Sequence, residues 1–244
     1  MRVPCQACPL RAQPAFHDKP DDQVAFIQAM KTDHLTFAPG DAIIRQGSRS
    51  AQLFTLFSGW AFRFKEMSDG RRQILNFLLP GDLVGFQNRM FEESPWGVEA
   101  LTPVEVCVFA RSRIWDLYRG YPELAYDVTW LTAHEESLVD ENLLTAGRRS
   151  AAERVAMLMM HLAKRVAVLR PAVAAGAPFD IPINQSHIAD ALGLSLAHTN
   201  KTLKALEKRG LFRFAAGRLE MVNPKALARL ADYFDQPVGQ RPLI

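Results

Sequence analysis

Apolar and polar residues alternate in short runs along the first half of the chain. From residue 35 to about residue 109 these runs are bounded by turn signals, which are Pro39-Gly40-Asp41, Gly47, Gly59, Asp69-Gly70 and Pro80-Gly81-Asp82. Short strands with glycine turns at such regular intervals are typical of all-β barrels and jelly rolls. The pattern therefore predicts a barrel-like β-domain over this part of the chain.

A helical repeat replaces this alternation after Pro122 and runs to about Thr145 without an internal proline or glycine. Leucines recur every seven residues from Leu117 to Leu138, which is the spacing of a short coiled coil. The side chains expected at the interface between two such helices are Leu124, Val128, Leu131, Glu135, Leu138 and Asn142. The alternative is a helix that packs its apolar residues against its own β-domain.

Two helices joined by a tight turn are predicted between Asn184 and Gly210. Gly193 supplies the turn, and Ser195 is a natural N-cap for the second helix. Apolar residues at helical spacing give both helices an inward face. This arrangement is a helix-turn-helix, whose second helix lies in the major groove of DNA. The residues expected to contact DNA are Gln185, Ser186, Ser195, Ala197, His198, Asn200, Lys201, Lys204, Lys208 and Arg218.

These residues suit different contacts. Asn200 suits bidentate pairing with adenine, Lys201 suits donation to guanine, and Ala197 suits contact with a thymine methyl group. Lys204 and Lys208 lie further along the helix and suit phosphates, which carry no sequence information. For each residue the alternative is an exposed helix face that contacts only solvent.

A hairpin follows the second helix, with strands at about 211–214 and 219–222. Its loop carries Arg218, which we expect to reach the DNA backbone as part of a wing. Residues 145–244 carry 15 Lys and Arg against 7 Asp and Glu, whereas residues 1–144 carry 14 against 19. A basic half favours a polyanionic partner, and the alternative is a basic surface without a partner.

Composition narrows the remaining classes of protein. The chain is 48% hydrophobic and 23% charged, as ordinary globular proteins are. It lacks a run of about 18 apolar residues and an apolar leader, so we expect a cytoplasmic protein with no membrane partner. Its histidines are scattered, and it has no Ser/His/Asp set, HExxH motif or phosphate-binding glycine loop. We therefore expect that the protein is not an enzyme.

Two segments resemble the CRP/FNR family of regulators: Leu-Pro-Gly-Asp-Leu-Val-Gly at 79–85 and Ile-Ala-Asp-Ala-Leu-Gly-Leu-Ser at 188–195. The resemblance is nearer to the FNR/FixK side of the family than to its cyclic AMP-binding side. It implies an α+β fold with an N-terminal cyclic-nucleotide-binding-type β-roll (a jelly roll), a long dimerisation helix and a C-terminal winged helix-turn-helix. The implied boundaries are an N-terminal extension at 1–20, the β-roll at 21–120, the dimerisation helix at 121–146, the winged helix-turn-helix at 147–228 and a C-terminal tail at 229–244.

The resemblance also implies a function. It implies a signal-responsive homodimer that regulates transcription by binding a palindromic operator in double-stranded DNA, with RNA polymerase as a further partner. A cyclic-nucleotide-type binding module without DNA regulation is the rival from another class. Cyclic AMP is not expected as the effector, because Phe86 follows Gly85 where the cyclic AMP-binding members have Glu, and Ser94-Pro95 stands where they have Arg and a small hydroxyl residue.

The oxygen-sensing branch of the family holds an iron-sulfur cluster with four cysteines. The residues that match three of these ligands are Cys5, Cys8 and Cys107, and Pro14 stands at the remaining position. A cluster would therefore need a substitute ligand such as His17 or Asp18. The alternatives are a redox-active dithiol, haem bound by other residues, or a buried Cys107 with an unreactive Cys5/Cys8 pair. The cofactor and the signal stay open at this stage.

Overall fold

The computed structural model describes residues 3–49, 52–86, 93–233 and 239–244. They fall into two compact units. Unit 1 comprises Met1–Arg71, Asn76–Leu138 and Gly239–Ile244, and unit 2 comprises Arg72–Leu75 and Val139–Val238. In the described part of the chain no helix is both long and apolar enough to cross a bilayer.

Strands dominate the first part of the chain. The helices there are α1 (Asp21–Met30), α2 (Ile114–Gly120) and α3 (Pro122–Arg148), and a 3-10 turn lies at Cys5–Ala7. The strands are β1 (Lys31–Phe37), β2 (Ala42–Ile44), β3 (Gln52–Ser58), β4 (Ala61–Glu66), β5 (Arg72–Leu78), β6 (Leu83–Val84), β7 (Gly97–Ala100) and β8 (Val104–Ala110). Among the described residues they form two four-stranded sheets, in the orders β1-β8-β3-β6 and β2-β7-β4-β5.

The turns between these strands match the glycine signals of the sequence. Gly59, between β3 and β4, has a φ of 85°, and a Cβ there would lie 2.3 Å from the main-chain oxygen of Pro103. Only glycine fits such a close approach at positive φ. Inward side chains such as Phe62 and Val106 are 0% exposed. The jelly-roll prediction is confirmed.

Helix α3 packs on its own β-domain through the residues that were expected at a dimer interface. Leu124, Val128 and Leu131 are 0%, 1% and 7% exposed. They belong to one apolar cluster with residues such as Phe26 and Phe109 of the same chain. The prediction that these three side chains face a partner helix is therefore wrong. A seven-residue repeat of leucines indicates which face of a helix is buried, but it does not indicate whether the same chain or a partner covers that face.

The other residues of that predicted interface vary in their surroundings. Glu135 forms an ion pair with Arg63 inside unit 1, so its carboxylate also faces its own chain and not a partner helix. Leu138 is half-buried, whereas Asn142 is exposed. The interface prediction for these last two residues stays a prediction.

Unit 2 is a helical domain with a small sheet. Its elements beyond α3 are α4 (Ala151–Leu169), α5 (Pro171–Ala174), β9 (Phe179–Asp180), α6 (Gln185–Leu192), α7 (Leu196–Lys208), β10 (Arg213–Ala215), β11 (Arg218–Glu220) and α8 (Pro224–Ala231). Helix α4 begins at a capping box, in which Ser150 and Glu153 satisfy each other's main-chain N–H groups. The core includes Leu162, Ile188 and Phe212, each 0% exposed.

Candidate nucleic-acid interface

Helix α6 has well-defined ends. At its start Oδ1 of Asn184 accepts a hydrogen bond from the main-chain N–H of His187 (2.9 Å), and Nδ1 of His187 accepts one from the main-chain N–H of Asn184 (3.2 Å). At its end Gly193 has a φ of 63°, which is the left-handed conformation that favours glycine. The predicted turn between α6 and α7 therefore forms where the sequence places it.

Helix α7 begins at Ser195, whose Oγ accepts a hydrogen bond from the main-chain N–H of His198 at 3.2 Å. Leu203 and Leu206 form its inward face and are 3% and 1% exposed. The opposite face consists of exposed side chains, which are Ala197, His198, Lys201, Lys204 and Lys208. Three lysines on the solvent side of a capped helix make this face suited to DNA.

Asn200 is placed differently from these neighbours. It is half-buried, and its Oδ1 is buried without a hydrogen-bond partner among the described residues. Bidentate pairing with adenine requires both the oxygen and the nitrogen of the amide to reach the base. Asn200 must therefore change its rotamer before it can make the predicted contact.

The predicted wing is the β10–β11 hairpin. Its two-residue turn is Ala216-Gly217, with φ values of 51° and 71°, and positive φ at both positions is what a type I′ turn requires. Arg218, after the turn, is exposed. The main-chain N–H of Phe214 donates to Oε1 of Glu207 at 2.8 Å, which ties the hairpin to α7.

A groove separates this hairpin from the start of α6. Gln185 and Ser186 line it on one side, and Phe214 and Gly217 line it on the other. Both Gln185 and Ser186 are exposed in the first turn of α6, where free main-chain N–H groups attract anions. All the predicted DNA contacts except Asn200 thus have exposed side chains in unit 2.

The interior of unit 1 contains a polar cluster that the sequence analysis missed. Nη2 of Arg63 lies 3.2 Å from Oε2 of Glu135, and Nδ2 of Asn76 donates to Oε1 of Glu135 at 2.9 Å. The guanidinium of Arg63 also lies 5.5 Å from the ring centre of Trp96. The sequence signal for this cluster is the charged Arg63 between apolar neighbours in β4. Its partner on α3 is 72 residues away and could not be identified from spacing.

This cluster and its surroundings do not fit cyclic AMP in the usual pose. The hydroxyl of Ser94, which stands where a phosphate-binding Arg would be, donates to the main-chain oxygen of Trp96 at 2.7 Å. Phe86 packs against the apolar cluster of unit 1 and offers no carboxylate to a ribose. Arg63 is engaged with Glu135.

The three cysteines line one cavity in unit 1, although residues 8 and 107 are far apart in sequence. The cavity encloses about 520 Å³ of empty space, part of it open to solvent, and is otherwise largely apolar. Burial raises the pKa of Cys5 to about 11 and also raises the pKa of Cys107, so both are thiols at neutral pH. Their surroundings suppress thiolate chemistry in this state.

The proposed substitute ligands do not complete a four-ligand set. His17 lines the same cavity, but its Nε2 lies 3.2 Å from Oδ1 of Asp127 and its Nδ1 lies 3.2 Å from the main-chain oxygen of Asp18. The carboxylate of Asp18 pairs with Arg11 at the surface and is 88% exposed. In the described chain no group of three or more His, Cys, Asp and Glu side chains is arranged to hold a metal ion. The donors present therefore do not fit an iron-sulfur cluster.

Comparison with known proteins identifies both units. A cyclic nucleotide-binding domain matches residues 34–121, and a Crp-like helix-turn-helix domain matches residues 153–230. The described helix-turn-helix and wing lie inside the second match.

Relatives extend this similarity over most of the chain. A probable transcriptional activator of Rhizobium leguminosarum is 34% identical over 174 residues, which are 71% of this chain and 70% of the relative. The transcriptional activator protein FnrL of Cereibacter sphaeroides is 27% identical over 215 residues, 88% of this chain and 86% of FnrL. The structure of FixK2 from Bradyrhizobium japonicum superimposes with a TM-score of 0.73 at 27% identity, covering 81% of this chain and 96% of FixK2. The chain thus belongs to the CRP/FNR family of DNA-binding transcriptional regulators.

Proposed function

We propose that two copies of this chain read a palindromic operator, each placing α7 in a major groove. The observation that carries the proposal is the exposed face of α7, on which Lys201, Lys204 and Lys208 follow the capped N-terminus. Recognition helices present their N-terminal residues to base edges and their later residues to the backbone. In this proposal the chain acts by binding and carries out no catalysis.

Lys201 and Lys208 have different roles in this arrangement. Lys201 lies in the second turn of α7 and donates to guanine, whereas Lys208 ends the helix and meets phosphate. His198 and Ala197 contact the same bases from the first turn. Gln185 and Ser186, which line the groove beside the wing, hold the DNA backbone from the start of α6, and the exposed Arg218 of the wing holds it as well.

The operator is first selected from random duplexes, and binding is then measured by fluorescence anisotropy at several salt concentrations. Lys201→Ala should lower affinity about 5- to 150-fold for the selected site and should relax preference at one base pair. Lys208→Ala is the matched control, because it should weaken all sequences alike and reduce the salt slope by about one. Equal losses on every duplex for both variants would refute the assignment of Lys201 to a base.

The dimer is proposed to form through the exposed face of α3. Tyr126, Ala133 and Asp140 are exposed at intervals of seven residues, on the side of the helix away from the buried Leu124 and Leu131. Tyr126 is 69% exposed, and tyrosine is enriched in the surfaces through which proteins contact one another. The small side chain of Ala133 allows two helices to approach closely.

Two variants test this surface. Ala133→Glu should place like charges against each other across the twofold axis and convert the dimer to a monomer in sedimentation analysis. Asn142→Glu is the control, since residue 142 lies on the opposite side of α3 from residue 133. Dissociation by Asn142→Glu and not by Ala133→Glu would support the original interface prediction at residue 142 and refute an interface through Ala133.

Contact with RNA polymerase is proposed from the relatives, which are named transcriptional activators. In vitro transcription from a promoter that carries the selected operator tests it. Stimulation by the native chain and its loss in Lys201→Ala are expected. Repression, or no effect while the operator is occupied, would contradict activation.

Redox sensing by the cysteines is the second candidate for the signal. The observation in its favour is that Cys5, Cys8 and Cys107 line one cavity. It predicts that oxidant changes operator binding of the native chain and leaves a triple Cys→Ser variant unaffected. Anaerobic preparation followed by iron and sulfide analysis tests the cluster separately, and more than about one iron per chain would contradict the incomplete ligand set found here.

A further inference from the structure

The segment Gly239–Ile244, here named the return segment, lies beyond unit 2 in the chain but packs within unit 1. The main-chain N–H of Arg241 donates to the oxygen of Ala15 at 2.9 Å, and the N–H of His17 donates to the oxygen of Arg241 at 3.2 Å. Phe16 and Arg241 thereby form a parallel β-bridge. The return segment thus pairs with the stretch that follows Cys5 and Cys8.

The side chain of Arg241 occupies a pocket that matches a guanidinium group. Nη1 lies 2.5 Å from Oδ1 of Asp82, and Nη2 donates to the main-chain oxygen of Pro80 at 2.7 Å. The guanidinium carbon lies 4.9 Å from the ring centre of Phe16, which places it over the ring. The side chains of Arg241 and Asp82 are only 11% and 6% exposed. Two nitrogens of the guanidinium thus reach two acceptors, one carboxylate oxygen and one main-chain oxygen, and the planar fork of arginine suits such a pair.

The shape of this pocket depends on a glycine. Gly81 has a φ of 91°, and a Cβ at this position would lie 2.3 Å from the ring of Phe16. The carboxylate of Asp82 is also fixed, because its Oδ2 accepts a hydrogen bond from the main-chain N–H of Leu79 at 2.8 Å. The turn at residues 80–82 therefore presents a preformed set of acceptors to Arg241.

The last two residues of the return segment enter the apolar interior. Leu243 and Ile244 are 8% and 7% exposed. The hydroxyl of Thr55 donates to the main-chain oxygen of Ile244 at 2.6 Å. Both residues line the cavity that Cys5, Cys8 and Cys107 share. Ile244 also joins the apolar cluster that contains Leu124 of α3.

We propose that unit 1 carries a peptide-binding groove for the return segment, and that this segment is a releasable cover over the cysteine-lined cavity. The occupant is an extended peptide with the pattern Arg-Pro-aliphatic-aliphatic. Pro242 restricts the backbone next to Arg241 to extended conformations, which lowers the entropy lost on docking. Asp82 and Thr55 recognise the peptide at its two ends, and the cavity accepts its aliphatic side chains.

Docking of this segment is a binding event within one chain. The segment contributes no helix or extended strand to unit 1. It is held by one ion pair, one β-bridge, the hydrogen bonds of Arg241 and Ile244, and three buried residues, which are Pro242, Leu243 and Ile244. A ligand that is covalently attached to its site binds at a high effective concentration, and it can leave without unfolding the domain. Release increases the exposure of all three thiols, of which Cys5 and Cys8 are half-buried and Cys107 is buried while the segment is docked.

Thiol labelling of the full chain tests the proposal. Because burial raises the pKa of Cys5 from 9.0 to about 11, release should increase its thiolate fraction at neutral pH by up to about 100-fold. Arg241→Ala should therefore speed N-ethylmaleimide labelling of Cys5 and Cys107, read by peptide mass spectrometry, and should lower hydrogen-exchange protection at His17. Arg241→Lys should have an intermediate effect, and Lys225→Ala, an exposed control on α8, should have none.

A second experiment supplies the segment in trans. To a chain that ends at Val238 we add the peptide Gly-Gln-Arg-Pro-Leu-Ile, which should bind saturably and restore slow labelling, whereas a peptide with Ala in place of Arg should not. Equal protection by both peptides would overturn the groove as the recognition site. Unchanged labelling of the shortened chain, or its failure to fold by circular dichroism, would overturn the releasable cover, because the segment would then be either irrelevant to the cavity or a permanent part of the core.

Discussion

Removal of one side chain of the Glu135–Arg63 ion pair should strongly destabilise unit 1. The two side chains are 16% and 6% exposed, and Asn76 donates a further hydrogen bond to Glu135. Removing one partner of a buried pair leaves an uncompensated charge and costs about 3–5 kcal/mol. Because Glu135 keeps some contact with solvent, we expect Glu135→Leu to lower the free energy of unfolding by about 3 kcal/mol, the lower end of this range.

The opposite single substitution should be milder. Arg63→Met leaves a carboxylate that still accepts from Asn76 and reaches solvent, so we expect a loss of about 1–2 kcal/mol. The double variant removes both charges and fills the space with apolar groups, which is often close to neutral for buried pairs. We therefore expect it to be no less stable than Glu135→Leu alone, with a coupling energy of at least about 1 kcal/mol.

Unfolding in urea, followed by tryptophan fluorescence, measures these free energies. The signal reports on unit 1, because every tryptophan of the chain lies there. These residues are Trp60, Trp96, Trp115 and Trp130. The matched control is Asp116→Ala, which breaks an ion pair with Arg113 whose side chains are 41% and 52% exposed, and it should change stability by less than about 0.5 kcal/mol. Strictly additive effects at Glu135 and Arg63 would refute the reasoning.

Three further results are expected. Ser195→Ala removes the N-cap of α7 and should lower the free energy of unfolding by about 1 kcal/mol, measured by circular dichroism melting, without a change in tryptophan emission. The pKa of Cys5 is 9.0 in the unfolded chain and about 11 in the folded chain. The stability that its thiol contributes is therefore complete below pH 9 and is lost as the pH rises toward 11. Urea titrations across this pH interval measure the loss. Cyclic AMP should leave the melting temperature unchanged, and a concentration-dependent rise would contradict the blocked site described above.

Sequence patterns predicted the DNA-reading unit well because its signals are local. Gly193 and Ser195 determine a C-cap and an N-cap through their own backbone and side-chain chemistry, and both lie where expected. The jelly roll followed from glycine turns for the same reason. Elements whose ends are defined within a few residues need no knowledge of the rest of the fold.

Long-range contacts were not predictable in this way. The spacing of Leu124 and Leu131 identified the buried face of α3 but could not distinguish its own β-domain from a partner helix. The pairing of Arg63 with Glu135, and of Asp82 with Arg241, joins residues far apart in sequence. Each partner alone is an ordinary charged residue, and only the folded topology brings the charges together.

The tip of the wing holds an alanine in a conformation that this residue disfavours. Ala216 has a φ of 51°, and L-residues with a Cβ lose about 1 kcal/mol there relative to the right-handed region. The ladder from β9 through β11 to β10 must supply this energy. Replacement by glycine or asparagine would relieve the strain with no other contact changed, so the stiffness of this hairpin loop can be altered through one side chain, independently of the exposed side chains of α7.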